Sequence, residues 1–572
     1  MEELEFSAEN EKKGERILLT LMPFWAPLTP PLGISCLKSY LTQFGYYVKT
    51  IDANINPTLW EFHGKYLSVL DSMIPDDKKG NFHMVGYDVF MNHLMAYINY
   101  DSMKYNGLIV ELVLKNFFIN ISNDQINRLC DVVKDFYLTF ETYLLEMFEK
   151  ERPSIFGVSV YNSTLAPSLF ALRLMKERYP DVKTVMGGGV FADQLSQASP
   201  DFSVFIEKVS YIDTIFIGEG EILFHKWLEG ELPKNQKIYS LSDINGVYMD
   251  LSKAEVPDFS DFNVKNYSQL AGYTSRSCPY QCSFCSETVQ WGTYRKKEAK
   301  QVADELVSMY KKYHRQLFLL GDSLINPITS DLAKEFINRD ISIYWDGYLR
   351  ADKPVCDINN TILWRRGGFY RARLGIESGS PNVLKLMNKN ITPEQIKAAL
   401  ISLAQAGIKT TTYWVIGHPG ETEKDFQETL DLVEMLKVYI YEADFHPFFF
   451  YPTGQVNSSK WAMEGGVDLL YPKEYSDILI TQTWKLDVNP TRDIIYERVC
   501  RFAEHCKKHS IPNPYSLKDI NEADQRWKAL HRNAVPTLVE LNDGEKYFYE
   551  NKEVGIPQMC KLIDEDEGDF IF

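Results

Sequence analysis

Residues 275–287 read SRSCPYQCSFCSE. Three of the chain's nine cysteines, Cys278, Cys282 and Cys285, stand here in C-x3-C-x2-C spacing. Soft thiolates suit iron–sulfur chemistry. Three of them can hold a [4Fe–4S] cluster and leave one iron open to a small molecule. Pro279 stiffens the loop, and Phe284 can shield the cluster from water. The competing reading is a zinc site or scattered buried thiols. A structural zinc site takes four ligands, usually as two spaced pairs, and no fourth Cys or His lies in this loop.

Downstream of the loop, strand-like and helix-like segments alternate regularly. AGYTSR leads into the cysteines. Helix KEAKQVADELVSMYKKY, strand QLFLLGDS, helix SDLAKEFINRD, strand SIYWDGYLR, helix DINNTILWRRGG and strand YRARLGIESGS follow. Helix TPEQIKAALISLAQAG, strand KTTTYWVIGHPGE, helix EKDFQETLDLVEMLK and strand EADFHPFFFYP complete the series. Six βα-type units over 266–452 predict a partial (β/α)6 TIM-like barrel, with chemistry at the carboxyl ends of its strands. The cysteine loop, GDS, GIESGS, GHPGE and FYPTG all fall at those ends.

Upstream, RILLTLMPFW, LGISCLKSYLTQFG and YYVKTIDAN predict β–α–β at parallel-sheet spacing. The alternation resumes with PSIFGVSVYNS, VKTVMGGG and IDTIFIGEGE. This predicts a Rossmann-like domain over 15–235, interrupted at 57–150 by a helical insertion. Its ligand loops, at the strands' carboxyl ends, are SVYNST, MGGGVFAD and GEGE. Residues 1–14 are expected to form a tail. A linker is expected at 236–265, with a hairpin around Asn245-Gly246. An α+β C-terminal domain is expected over 453–572. It would open as a loop over the barrel mouth, continue with a helix carrying Cys500, His505, Cys506 and His509, and end in a hairpin around Asp543-Gly544 and an acidic tail. The four Cys and His on that helix have no matching second pair, which makes a metal site there a weak reading.

Apolar residues make up 45% of the chain, as in ordinary globular proteins. No run of about 18 apolar residues suggests a membrane span. The polar, acidic start argues against a secretory signal, and scattered thiols suit a reducing cytoplasm. A net charge of −17 argues against a nucleic-acid partner.

The cysteine loop with GIESGS and WVIGHPGE resembles the radical S-adenosylmethionine (SAM) enzymes. There the open iron is chelated by SAM. The resemblance implies that Glu377 accepts hydrogen bonds from the SAM ribose, with Ser378 and Gly379 letting backbone approach. It implies that Val415–Glu421, with Gly417 and His418, lies along the adenine, and that Tyr280 and Phe284 add contacts from the cluster loop. Asp322 matches a frequent acidic position. Arg350 or Arg373 can pair the SAM carboxylate. The family's G-G-E motif is missing, and GDS stands in its place.

PPLGISCLKSYL, GYYVKTID, the GGG turn and IDTIFIGEGE resemble the cobalamin-binding domain that precedes many of these enzymes. That implies cobalamin contacts from Pro31, Leu32, Ser159, Thr164, Gly187, Gly188, Gly189, Gly218 and Glu219. The histidine that ligates cobalt in the wider group is absent, since Asp52-Ala53-Asn54-Ile55-Asn56-Pro57 stands there. Together the resemblances imply a cytoplasmic methyltransferase using a [4Fe–4S] cluster, SAM and cobalamin. A deoxyadenosyl radical would take hydrogen from an sp3 carbon, and methylcobalamin would supply the methyl. Carbon, or phosphorus, of a small molecule or peptide is the expected acceptor, and a flavodoxin or ferredoxin the electron donor. The alternatives are ring contraction or oxidative cyclisation, and a cobalamin- or SAM-sensing binding protein. A tRNA methylthiotransferase would need a second cysteine triad in the N-terminal domain, which is absent.

Overall fold

A run of five buried residues after Arg16 makes β1 (Arg16–Leu21) a strand covered on both faces. In the computed structural model it is flanked by β2 (Tyr47–Asp52) and β3 (Ile155–Ser159), and the sheet continues through β4 (Lys183–Gly187), β5 (Thr214–Ile217) and β6 (Ile238–Ser240). The order is β2-β1-β3-β4-β5-β6, with every pair parallel. Strand order reverses between β1 and β3, where doubly wound sheets open a ligand crevice. The structure describes residues 14–100, 102–192, 194–476, 483–537 and 540–541, without the side chains of residues 102, 103 and 517. The tail at 1–13, the hairpin around Asp543-Gly544 and the acidic end lie outside those residues.

The first crossover is α1 (Leu32–Thr42). The insertion between β2 and β3 consists of α2 (Pro57–Asp71), α3 (Phe82–Asn99), α4 (Ser102–Phe117) and α5 (Asn123–Glu151), with one short turn of helix at Asp76–Lys79. Asn56 caps α2 by accepting from the Thr58 and Leu59 N–H groups, and Ser122 with Gln125 forms a capping box on α5. Aromatic contacts tie the insertion to the first sheet. The Phe24 ring, just past β1, lies 5.0 Å from Phe90 and 5.1 Å from Phe136. The Tyr87 hydroxyl donates to the Phe24 carbonyl. The insertion therefore anchors the turn at the carboxyl end of β1. After β3 come α6 (Leu165–Arg178), α7 (Pro200–Lys208) and α8 (Gly220–Leu228).

Two expectations fail in the connector. Asn245-Gly246 does not turn a hairpin; it ends a 3-10 turn, Leu241–Ile244, that Ser240 and Asp243 cap. Left-handed Asn and Gly terminate a helical turn as readily as they turn a hairpin. Nor is the segment a loose linker. It supplies β6, and the Asp261 carboxylate accepts from the Thr50 N–H at 2.8 Å and from Lys38 at 2.7 Å and Lys49 at 2.8 Å.

The second sheet holds β7 (Leu270–Gly272), β8 (Leu317–Leu320), β9 (Tyr344–Arg350), β10 (Phe369–Glu377), β11 (Lys409–Ile416) and β12 (Glu442–Pro447). They are parallel and in sequence order, open between β12 and β7. The connecting helices are α9 (Ala299–Tyr313), α10 (Thr329–Asn338), α11 (Ile358–Arg366), α12 (Pro381–Leu386), α13 (Pro393–Gln405) and α14 (Glu423–Leu436). Two were unforeseen, α12 and a five-residue helix, Glu287–Trp291, after the cysteine loop. The stretch expected as a loop over the barrel mouth contains a helix, α15 (Ser458–Gly465). Then come α16 (Arg492–Lys508) and α17 (Leu517–Leu530).

The chain divides into two units. One runs to Tyr267 and takes in Val289–Gly292 and Phe450–Leu486; the other holds Ser268–Thr288, Thr293–Phe449 and the residues from Asp487 on. The expected C-terminal domain is thus split. Its first part joins the Rossmann-like unit, where Trp484 donates to Asp201 at 3.1 Å and Ser196 meets Thr453 at 2.7 Å. Its second part finishes the barrel. The Ala443 N–H on edge strand β12 donates to the Pro512 carbonyl at 2.9 Å, and Asn513 donates to the Ala443 carbonyl at 2.7 Å. This covers an edge that would otherwise expose unpaired backbone. Val535 and Leu541 pack with Leu317, Tyr344 and Tyr370 at the amino ends of the strands.

Gly188 follows β4 at φ +119°, and a Cβ there would sit 2.4 Å from both the backbone N and O of Val160. Those atoms carry sheet-edge hydrogen bonds and cannot yield. Gly188→Ala should destabilise the first unit by about 2 kcal/mol or more, read as a lower unfolding midpoint in calorimetry.

Candidate active site

The cysteine loop leaves β7 at the carboxyl edge of the second sheet, and a buried carboxylate holds its entry. Asp322, just past β8, accepts from the Thr274 N–H at 2.8 Å, the Thr274 hydroxyl at 3.1 Å, the Ser275 hydroxyl at 2.8 Å and the Ser275 N–H. Burial pushes its carboxyl up to about 6 against these bonds. The carboxylate expected near SAM is thus engaged in positioning the loop. In the same GDS segment Ser323 donates to Glu287 at the loop's far end.

Further along, the Ser283 N–H donates to the Met387 carbonyl at 2.9 Å, and Asn388 donates to the Gln281 carbonyl at 2.8 Å. The buried His418 ring ties the loop to the exit of β11. Its Nδ1 donates to the Pro419 carbonyl at 2.9 Å and its Nε2 accepts from the Ser283 hydroxyl at 3.0 Å. Burial lowers the imidazole to about 4, so it is neutral. Phe284 packs with Val383, Met387 and Val415.

Burial raises the Cys278 thiol and pushes Cys285 up to about 12. A thiolate here needs a cation beside it, which iron supplies. Around a single tetrahedral zinc, thiolates stand about 3.8 Å apart. Among the described residues, the one His, Cys, Asp and Glu group with ligand atoms all within 4.8 Å of one another is elsewhere. The three thiols are spread more widely, as fits a cluster with a separate iron for each.

Glu377 ends β10 at φ +69°, a region non-glycine residues seldom occupy. The strand register shifts between Gly375 and Glu377. Backbone strain of this kind gathers at functional sites. The side chain is buried, and Oε1 accepts from Lys389 Nζ at 2.7 Å. Ser378 and Gly379 face α14 instead. The Ser378 hydroxyl meets Thr429 at 3.1 Å, and the Gly379 N–H donates to the Thr429 hydroxyl at 3.0 Å. Gly417 stands at φ +85°, where a Cβ would lie 2.4 Å from Ile495 of α16. Its N–H donates to Glu421 at 2.9 Å, and Arg498 of α16 donates to the same carboxylate at 2.9 Å.

The two arginines separate clearly. Arg373 donates to Asp346 at 3.0 Å and to the Tyr413 hydroxyl at 3.3 Å. Burial alone would raise the Asp346 carboxyl, but the Arg373 and Arg371 guanidiniums hold it below its ordinary value. Arg350 lies over the Tyr280 ring at 4.0 Å, with Nη1 3.8 Å from Cys282 Sγ. Its Nη2 is buried with no hydrogen-bond partner. It is the arginine with a donor to spare beside the cluster loop. Trp345 and Trp414 are core, with no exposed surface.

In the first unit, Pro31 and Leu32 start α1, Ser159 ends β3, Gly187 ends β4 with Gly188 and Gly189 after it, and Gly218 and Glu219 follow β5. All stand at the carboxyl edge of one sheet. The Ser159 hydroxyl lies 4.0 Å from where a Cβ on Gly33 would stand, so a larger residue at 33 would fill that notch. Two expected contacts are committed locally. The Thr164 hydroxyl accepts from the Tyr161 N–H at 3.0 Å, and Glu219 accepts from the Met249 N–H at 3.0 Å. The Asp52 carboxylate is taken by the Asn54 N–H at 3.0 Å and the Tyr267 hydroxyl at 2.8 Å. Trp25 stacks on Tyr161 at 4.4 Å across the β1 and β3 exits. Sequence reasoning missed that pair, Lys389 and Arg498, because each meets its partner only through the fold.

Residues 273–433 match the model of the Radical SAM superfamily. The anaerobic magnesium-protoporphyrin IX monomethyl ester cyclase of Rubrivivax gelatinosus is 24% identical over 61% of this chain and 63% of its own. The cobalamin-dependent radical SAM methyltransferase TokK of Streptomyces tokunonensis is 24% identical over 48% of this chain and 44% of its own. The chain therefore spans less than two thirds of the length of these relatives. Among solved structures, the radical S-adenosylmethionine methyltransferase TsrM of Kitasatospora setae, with tryptophan and a SAM analogue bound, shares the fold with a TM-score of 0.58. That match is 14% identical and covers 96% of this chain and 99% of that one. Among the described residues no helix is long and apolar enough to cross a membrane.

The His418 brace has a pH signature. A folded-state value near 4, below the unfolded 6.5, gives stability that is present above pH 6.5 and lost as pH falls toward 4. Between pH 8 and pH 5 the cluster-free chain should lose about 2 kcal/mol more than His418→Gln does, measured by denaturant unfolding.

Proposed function

We propose that this radical SAM enzyme is a cobalamin-dependent methyltransferase acting on an unactivated carbon, or phosphorus, of a peptide or natural-product intermediate. The observation that carries the reading is a pairing on one chain. A braced three-cysteine loop stands at the carboxyl edge of a six-stranded barrel sheet, and a separate doubly wound sheet has glycine turns at its own carboxyl edge. The names of TokK and TsrM point the same way.

When bound, the cluster supplies an electron to SAM, and cobalamin supplies the methyl group. The chain's own residues do the holding. Cys278, Cys282 and Cys285 would hold the cluster, with one iron left open to SAM. Arg350, through its spare Nη2, takes the methionine carboxylate. Glu377, strained into place and charge-balanced by Lys389, accepts from the ribose hydroxyls. Neutral His418 fixes Ser283 and offers no labile charge near the cluster. In the first unit, the notch of Gly33 and Ser159 and the turns after β4 and β5 line the cobalamin edge. Asp52 is committed to Asn54 and Tyr267. A flavodoxin or ferredoxin is the proposed reductant.

The Rubrivivax cyclase relative favours a second reading, oxidative cyclisation without methylation. Methyl-labelled SAM separates the two. With cluster and cobalamin loaded and a reductant present, label should enter product, and Arg350→Ala should raise the KM for SAM about tenfold or more. Deoxyadenosine formed with no labelled product, across peptide and small-molecule acceptors, would move the assignment to cyclisation.

A further inference from the structure

Away from the cysteine loop, α14 and α16 bring together Glu434, His505 and His509. The two histidines are four residues apart and share one helix face. Their rings stand 4.5 Å apart, and His509 Nε2 lies 3.7 Å from Glu434 Oε2. One ligand atom from each of the three lies within 4.8 Å of the others. The Nε2 atoms of both histidines are buried with no hydrogen-bond partner, and the His509 side chain is only 8% exposed. Two buried imidazole nitrogens aimed at one carboxylate are costly unless something binds them.

We infer that Glu434, His505 and His509 form a second metal site, for a divalent ion of the zinc class. Two neutral imidazoles and a carboxylate suit zinc, with water in the open position. His505 is already set for this role. Its ring donates to the backbone carbonyl of Leu430, one turn before Glu434. Since Nε2 has no partner, that bond falls to Nδ1, which leaves the Nε2 lone pair for a metal. The neighbouring Cys506 is not part of the converging group. The bound ion would staple α16 to α14. It is α16 that carries Ile495 against Gly417 and Arg498 to Glu421, so the staple would firm the backing of the β11 exit.

The test uses the full chain with its cluster loaded, so that iron occupies the three loop thiols. After a chelator wash, zinc is titrated anaerobically against a chromophoric indicator. The wild-type chain should bind one zinc more than His509→Ala. Glu434→Gln, a half-exposed change that spares the core, should weaken binding about tenfold or more. Cobalt in place of zinc should give visible bands without a thiolate band. Equal zinc uptake by the wild type and both variants, or none by the wild type, would overturn the site. Neither result depends on SAM cleavage or methyl transfer.

Discussion

One buried carboxylate organises the active end of the barrel. Asp322 gathers the backbone and hydroxyl donors of Thr274 and Ser275 where the chain leaves β7. Burial opposes its charge, and the converging donors offset that cost. The loop that follows can then start from a fixed point. Met387, Asn388 and His418 pin it at three further places. The loop that carries the cysteines is therefore held by hydrogen bonds from several elements of the barrel. A ligand set pre-positioned in this way loses little freedom when a cluster enters.

The same logic extends outward. Glu377 is strained, and strain persists only where surroundings over-determine the backbone. Here the surroundings are the Lys389 ion pair and the packing of Ser378 and Gly379 on α14. Gly417 is backed by Ile495, and Glu421 by Arg498. Inside the sheet, Asp346 draws both Arg371 and Arg373 into one buried network. That network consumes Arg373 and leaves Arg350 beside Tyr280 and Cys282.

Much of this was legible in the sequence. Strand and helix periods, with glycine-rich turns between them, were enough for both parallel sheets and the insertion. The cysteine spacing and GIESGS pointed to the edge where the structure has the braced loop and the strained Glu377. What failed depended on partners distant in sequence. Asn245-Gly246 carries the same left-handed preference in a hairpin and in a helix end, and the capped turn that follows β6 makes it a helix end here. Nothing in YPTGQVNSSKWAMEGG reports that Thr453 will bond to Ser196. The partners of Ser378 and Gly379 on α14 are likewise set by the fold alone. Arg350 and Arg373 could not be ranked until Asp346 was seen to take one.

The central claim is that three thiolates hold a cluster whose fourth iron is open to SAM. Electron paramagnetic resonance of the reconstituted, reduced chain, with and without SAM, tests it most directly. The account predicts a reduced-cluster signal that changes when SAM is added and that disappears in the Cys278→Ala, Cys282→Ala, Cys285→Ala triple variant. A signal indifferent to SAM, or one that survives the triple substitution, would contradict it.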